Sequence, residues 1–145
     1  MATIYKDNRD IFFMPQGFTL ASAFSTDMNW VGLPEKFDLA YWITDRDGRD
    51  HKVGSVSRID NLYMMFVKKS SYDKPTLSDI EKCLQKLAKK ILNNNIHRLA
   101  MPQICCGRNG FDWDQILPLI EKAFEENNEL NIVICNPDWG TDKWQ

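Results

Sequence analysis

From Leu62 to Cys135 the chain alternates short apolar runs with amphipathic helical patterns, and this order constrains the fold more than any other feature. Leu62-Tyr63-Met64-Met65-Phe66-Val67, Leu99-Ala100-Met101 and Ile132-Val133-Ile134-Cys135 read as strands. Between the first two, Ile80, Cys83, Leu84, Leu87, Ala88, Ile91 and Leu92 fall at i, i+3, i+4, i+7 spacing, while Lys82, Gln85, Lys86, Lys89 and Lys90 take the opposite face. Thr76 with Asp79, behind Pro75, predicts a capped start for this helix, and Asn93-Asn94-Asn95 predicts its end. Between the second and third strands, Trp113, Ile116, Leu117, Ile120 and Phe124 mark another helix. Pro118 lacks an N–H and crowds the carbonyl four residues back, so this helix is expected to begin near Asp114 or to bend. Strands and helices in alternation imply an α/β domain with at least partly parallel pairing.

The N-terminal half adds Ile11-Phe12-Phe13 and Thr19 to Phe24 as expected short strands on either side of a Pro15-Gln16-Gly17 turn. Both are nearly continuous in apolar or small residues, which suits strands covered on both faces. Leu39 to Thr44 fits a helix and a strand equally well, and Val53 to Ile59 is expected to form a hairpin with the Leu62 run through Asp60-Asn61. A length of 145 residues suits a single domain spanning 1–145 with a polar, aromatic tail at 136–145.

Eighteen basic against twenty acidic residues give a formal charge of −2, so nucleic acid is not expected as the main partner. No run is long enough to cross a bilayer, and MATIYKDNRD lacks the apolar core of a signal peptide, which points to a cytoplasmic or nuclear protein with no membrane partner. Cys83, Cys105, Cys106 and Cys135, with only His51 and His97, form neither a disulfide framework nor paired metal ligands. Reduced, mostly core-facing thiols are expected, with no metal and no cofactor.

The stretch MPQICCGRNGFDW at 101–113 lies between a strand and a helix. Residue type alone leaves it open to four readings: a reactive thiol, a metal site, an anion cradle or a plain turn. In open α/β sheets ligands gather beyond the carboxyl ends of strands. Gly107 and Gly110 would let the backbone approach a ligand, amides from Cys105 onward could form a nest for phosphate, and Arg108 would add charge.

Together with Asp10-Ile11-Phe12, VKKSSYDKPT at 67–76 and MPQICCG at 101–107, the chain resembles a macro domain of the small single-domain branch related to terminal ADP-ribose protein glycohydrolase. The motifs run in order from about Ile4 to Cys135 and are thin between Met28 and Lys52. The resemblance implies a three-layer α/β/α fold with a mixed central sheet and a cleft for ADP-ribose or an ADP-ribosylated protein. It implies that Asp10 and the Ile11 amide hold the adenine, and that Ser25, Asp27 and Trp30 lie in the first ligand loop. Amides of Ile104, Cys105, Cys106, Gly107 and Arg108 would cradle the diphosphate. Lys68 would be the nucleophile on the distal ribose, with Asn109 in the place of its partner aspartate.

Three departures bear on function. Asn109 can exchange hydrogen bonds but not a proton near neutral pH, so turnover is expected to be weak or absent unless Asp112 or Asp73 substitutes. The first loop, TDMNWVGLPEKF, has one glycine where the family has several, and Cys105 replaces the first glycine of the turn. The expected function is ADP-ribose binding with at most residual hydrolysis. The alternatives are an active hydrolase of ADP-ribosyl-glutamate or of O-acyl-ADP-ribose, and a ligand-free domain acting through protein contacts.

Overall fold

A computed structural model describes residues 1–26, 52–70, 72–106 and 110–137. Six strands, β1 (Thr3–Asp7), β2 (Thr19–Ser25), β3 (Val56–Ile59), β4 (Leu62–Lys68), β5 (Arg98–Pro102) and β6 (Asn131–Cys135), form one sheet in the order β1-β6-β5-β2-β4-β3. All neighbouring pairs are parallel except β3 with β4. The mixed α/β sheet expected from the sequence is present. The β3–β4 hairpin turns at Asp60, whose φ of 51° is the left-handed conformation a tight connection needs and Asp tolerates.

Two helices, α1 (Leu77–Asn93) and α2 (Trp113–Ala123), cover one face of the sheet. At the start of α1 the Thr76 hydroxyl accepts the Asp79 amide at 3.1 Å, as the capping pattern predicted. Its buried stripe is Ile80, Cys83, Leu84, Leu87, Ala88 and Ile91, whereas Leu92, expected in that stripe, is half exposed. The helix ends at Asn93, and Asn95, with φ 53°, turns the chain toward β5. Asn94 Nδ2 donates to the buried Tyr63 hydroxyl at 2.9 Å, so the cap also satisfies a polar group of the core.

α2 begins at Trp113, with Asp112 as its N-cap, and continues through Pro118 rather than starting after it. The Asp112 amide donates to Gln115 Oε1 at 3.1 Å, which ties down the first turn that the proline would otherwise weaken.

Two sequence expectations are corrected in the N-terminal segment. Ile11–Phe13 forms a 3₁₀ turn and not a strand, because the Phe13 amide closes on the Asp10 carbonyl at 2.9 Å and Ile11 plugs into the sheet. The first strand is instead Thr3–Asp7, an edge strand in which only Ile4 packs against the main core. The ambiguous run at 39–44 lies outside the described residues.

Strand parity divides the core. Ala21, Tyr63, Met65, Val67, Leu99, Met101, Ile132 and Ile134 face α1 and α2. Phe24, Leu62, Met64 and Phe66 form a second cluster on the other face, and Ile11, Ala100, Val133 and Cys135 a third. Burial on both faces explains why β4 reads as an unbroken apolar run.

The routing fixes where a crevice must lie. After β2 the chain travels to β3 and β4 on one side, whereas after β5 it travels to β6 on the other. Adjacent strands whose connections leave in opposite directions create the switch point where ligands of open α/β sheets bind. The β2–β5 ladder pairs only Thr19 with Leu99 and Leu20 with Ala100, so the carboxyl halves of these strands do not continue it.

Candidate functional site

The five parallel strands end at Asp7, Ser25, Lys68, Pro102 and Cys135 along one edge of the sheet. Lys68 is fixed there by β2. The β2–β4 register slips by one residue between Phe24 and Ser25, so Phe24 faces Phe66 but Ser25 faces Lys68. The Thr26 amide then donates to the Lys68 carbonyl at 2.9 Å, and the Thr26 hydroxyl to the Lys69 carbonyl at 3.0 Å. The lysine therefore leaves a backbone whose own carbonyl and the next are both held by Thr26.

On the other side of the crevice, β5 runs into the turn that begins at Gln103. Ile104 and Cys105 are buried and Cys106 is half buried. Cys105 has a φ of 61°, and Gly110 one of 78°. A bridge between Cys106 and Phe111 draws the two ends of the turn together. A left-handed residue within such a turn is the backbone device by which successive amides converge on an anion.

The Lys68 charge is felt at the turn, where it acts on the Cys105 thiol against the larger effects that raise its pKa. Burial is the main cause of that rise, reinforced by Cys106 and Cys83, and the thiol is pushed up to about 12. Cys83, beneath the turn on α1, is pushed to about 11 by burial, and it donates to the Phe66 carbonyl at 3.4 Å. Cys106 is also raised, by burial and then by Asp112. None of these thiols is poised as a thiolate near neutral pH, so the reactive-thiol reading of CC has no support in the electrostatics.

At the far end of the edge, Asp10 opens the 3₁₀ turn whose Ile11 packs on Ala100, Val133 and Cys135. Asp10 lies close enough to Cys135 to raise its pKa, after the larger effects of burial and Asp7, to about 11. The Asn136 amide donates to the Asp7 carbonyl at 3.0 Å, and Asn136 Nδ2 donates to Gln103 Oε1 at 2.9 Å. These bonds tie the ends of β1, β6 and β5 together.

Asp10 and Lys68 thus flank the turn after β5. At about 4.8 Å per strand, β6 and β4 stand about 14 Å apart.

A family model described as "Macro domain" matches residues 62–120. The macrodomain of Mycobacterium tuberculosis DarG superposes with a TM-score of 0.76 at 20% identity, over 94% of this chain and 99% of that one. The chain has the fold of a macro domain.

Human "ADP-ribose glycohydrolase OARD1" is 27% identical over 122 residues, covering 80% of this chain and 80% of the relative. Thermosipho africanus DarTG, solved in complex with ADP-ribose, superposes with a TM-score of 0.75 at 18% identity, over 94% of this chain and 42% of that one.

Of the residues singled out from the sequence, the fold brings Asp10, Ile11, Ser25, Lys68, Ile104, Cys105 and Cys106 to one edge. Asp27, Trp30, Gly107, Arg108 and Asn109 lie outside the described residues. Sequence reasoning missed the Asn136–Gln103 pair and the grip of Thr26 on Lys68 and Lys69. Both join residues far apart in the chain, and neither carries a local pattern that could announce it.

Among the described residues no group of three His, Cys, Asp or Glu side chains could hold a metal ion, and no helix is long and apolar enough to cross a membrane.

Proposed function

We propose that the chain acts as one domain that binds ADP-ribose along the carboxyl edge of its sheet, over β6, β5, β2 and β4. Asp10 and the Ile11 amide take the adenine end, the amides of Ile104 to Arg108 the diphosphate, and Lys68 stands beside the distal ribose. Ser25, Asp27 and Trp30 contribute from the loop after β2. The observation that carries this reading is the switch point between β2 and β5, where the ladder stops after Leu20–Ala100 and beyond which β4 ends in Lys68 and β5 runs into the turn containing Cys105.

The human and Thermosipho relatives support ADP-ribose as the ligand class.

Chemistry is the weaker half of the function. Displacement of an acyl group from ribose by a lysine amine forms a carbon–nitrogen bond, breaks the carbon–oxygen bond and leaves protons to be moved. Asn109 cannot move them, so binding outlasts turnover in this chain.

Titration calorimetry with free ADP-ribose tests the proposal. Saturable heat at micromolar to millimolar ligand is expected, and no heat at millimolar concentration refutes it. Incubation with a glutamate-ADP-ribosylated protein reads turnover separately, where retention of the label on long exposure is the expected result.

A further inference from the structure

Two residues that the binding reading leaves unused meet beside the turn after β5. Lys74 stands two positions before the N-cap of α1, and Phe111 directly before the N-cap of α2. The Lys74 ammonium lies 4.6 Å from the centroid of the Phe111 ring, within the range at which a ring face attracts a cation. The same nitrogen is 3.7 Å from where a Cβ on Gly110 would stand, so the lysine stem crosses the exit of the turn. Phe111 is half buried and packs against the main core, whereas Lys74 is exposed. One end of the contact is therefore anchored, and the other belongs to the segment that begins at Lys68.

We propose that Lys74 is a positioning residue, a latch that holds the described ends of the turn after β5, at Cys105–Cys106 and Gly110–Phe111, beside the start of α1. This rests on the ADP-ribose reading, because it assigns the latch the task of keeping the diphosphate amides and Lys68 in register across the crevice. The backbone on either side explains why a latch is needed there. Cys105 and Gly110, on the described ends of the turn, both adopt positive φ, a conformation an ordinary strand-to-helix connection seldom uses, so those ends keep their place only while the exit of the turn is held. The Cys106–Phe111 bridge carries the hold back to the residue next to Cys105. The ammonium acts through the ring and not on the ligand, which is what separates the proposal from simple attraction of a surface lysine for phosphate.

The test uses Lys74→Met, Lys74→Arg, Phe111→Leu and the Lys74→Met/Phe111→Leu double variant of the whole chain. Backbone amide exchange is followed in the free proteins at Ile104 to Cys106 and at Gly110 and Phe111, and ADP-ribose affinity by calorimetry. Lys74→Met is expected to speed exchange in the turn by about two- to fivefold, the factor that corresponds to an exposed cation–ring contact, and to weaken ADP-ribose by a similar factor. Lys74→Arg, which keeps the cation over the ring, stays close to the natural chain in both. In the Phe111→Leu background Lys74→Met has no further effect.

Unchanged exchange in Lys74→Met overturns the latch, as does a loss of affinity that is equally large with and without the Phe111 ring. If Phe111→Leu does not fold, Phe111→Tyr replaces it and is expected to behave as the natural chain, while exchange in the exposed-site variant Lys74→Met still decides. If the natural chain gives no heat with ADP-ribose, the binding reading falls on its own and the exchange result alone judges the latch.

Discussion

Replacing Cys105 by Ala and by Gly separates the two roles this residue plays in the turn. Its φ of 61° places a Cβ in the left-handed region, which costs an L-residue roughly 1–2 kcal/mol. Its sulfur is also buried, at 5% exposure, against the main core, where loss of an atom of methylene size costs about 1 kcal/mol. Both substitutions lose the sulfur, so their difference isolates the backbone. Going from Ala to Gly removes the strain of roughly 1–2 kcal/mol and adds back about 0.4–1 kcal/mol of unfolded-chain entropy. Cys105→Gly should therefore be more stable than Cys105→Ala by up to about 1.6 kcal/mol, centred on ~0.8 kcal/mol, the reverse of the order at an ordinary position. In urea, with a slope of about 2 kcal/mol/M, the midpoints should differ by about 0.4 M, and by at most about 0.8 M, with equal slopes. A Cys105→Ala variant as stable as Cys105→Gly would refute the assignment of strain to this position. The glycine variant should also bind ADP-ribose more tightly than the alanine variant, because a backbone without a Cβ approaches a diphosphate more closely.

Three further outcomes follow from other parts of the molecule. The indole N–H of Trp113 is buried without a hydrogen-bond partner among the described residues, so Trp113→Phe should change stability by no more than about 1 kcal/mol, the lost ring area being offset by removal of an unpaired donor, as thermal melting would show. The buried thiols Cys83, Cys105 and Cys135 hold their protons to about 11, 12 and 11 in the folded chain against 9.0 when exposed. Above pH 9 the unfolded chain releases these protons first, so stability present below that pH is lost as pH rises from about 9 toward 11 or 12, by about 1 kcal/mol per thiol at pH 10. Urea midpoints in reductant at pH 8 and pH 10 measure the loss, and Cys105→Ala should reduce it. Any release of label from a glutamate-ADP-ribosylated protein should vanish in Lys68→Ala and rise by about a hundredfold in Asn109→Asp, within the range a positioned proton-transfer group supplies. Activity that survives Lys68→Ala would remove the lysine from the mechanism.

The parts of the fold that were legible beforehand are those in which burial and hydrogen bonding leave a local trace. The stripe of α1, its Thr76 cap and its Asn-rich end stand in the sequence as they stand in the molecule, with Leu92 the exception because the helix turns it past the core. β4 and β6 were legible because strands covered on both faces must be apolar throughout. β1 was not, since in this edge strand only Ile4 packs against the main core, and that partly, while Thr3, Tyr5 and Lys6 are exposed, so five residues show no apolar run. Ile11–Phe13 looked like a strand because a 3₁₀ turn that plugs a sheet is as apolar as a strand of the same length. At the site, the motifs pointed to Lys68 and the turn after β5. The slip at Ser25, the grip of Thr26 and the Asn136–Gln103 pair depend on tertiary placement and could not be read.

The opposed departures of the chain from β2 and β5 have one last consequence. A recess made by the path of the backbone belongs to no particular side chain, so mutation can strip away a nucleophile or a proton carrier without filling the hollow. A lineage that loses catalysis in this way keeps a receptacle, and what it later accommodates is decided by whichever residues drift onto its walls.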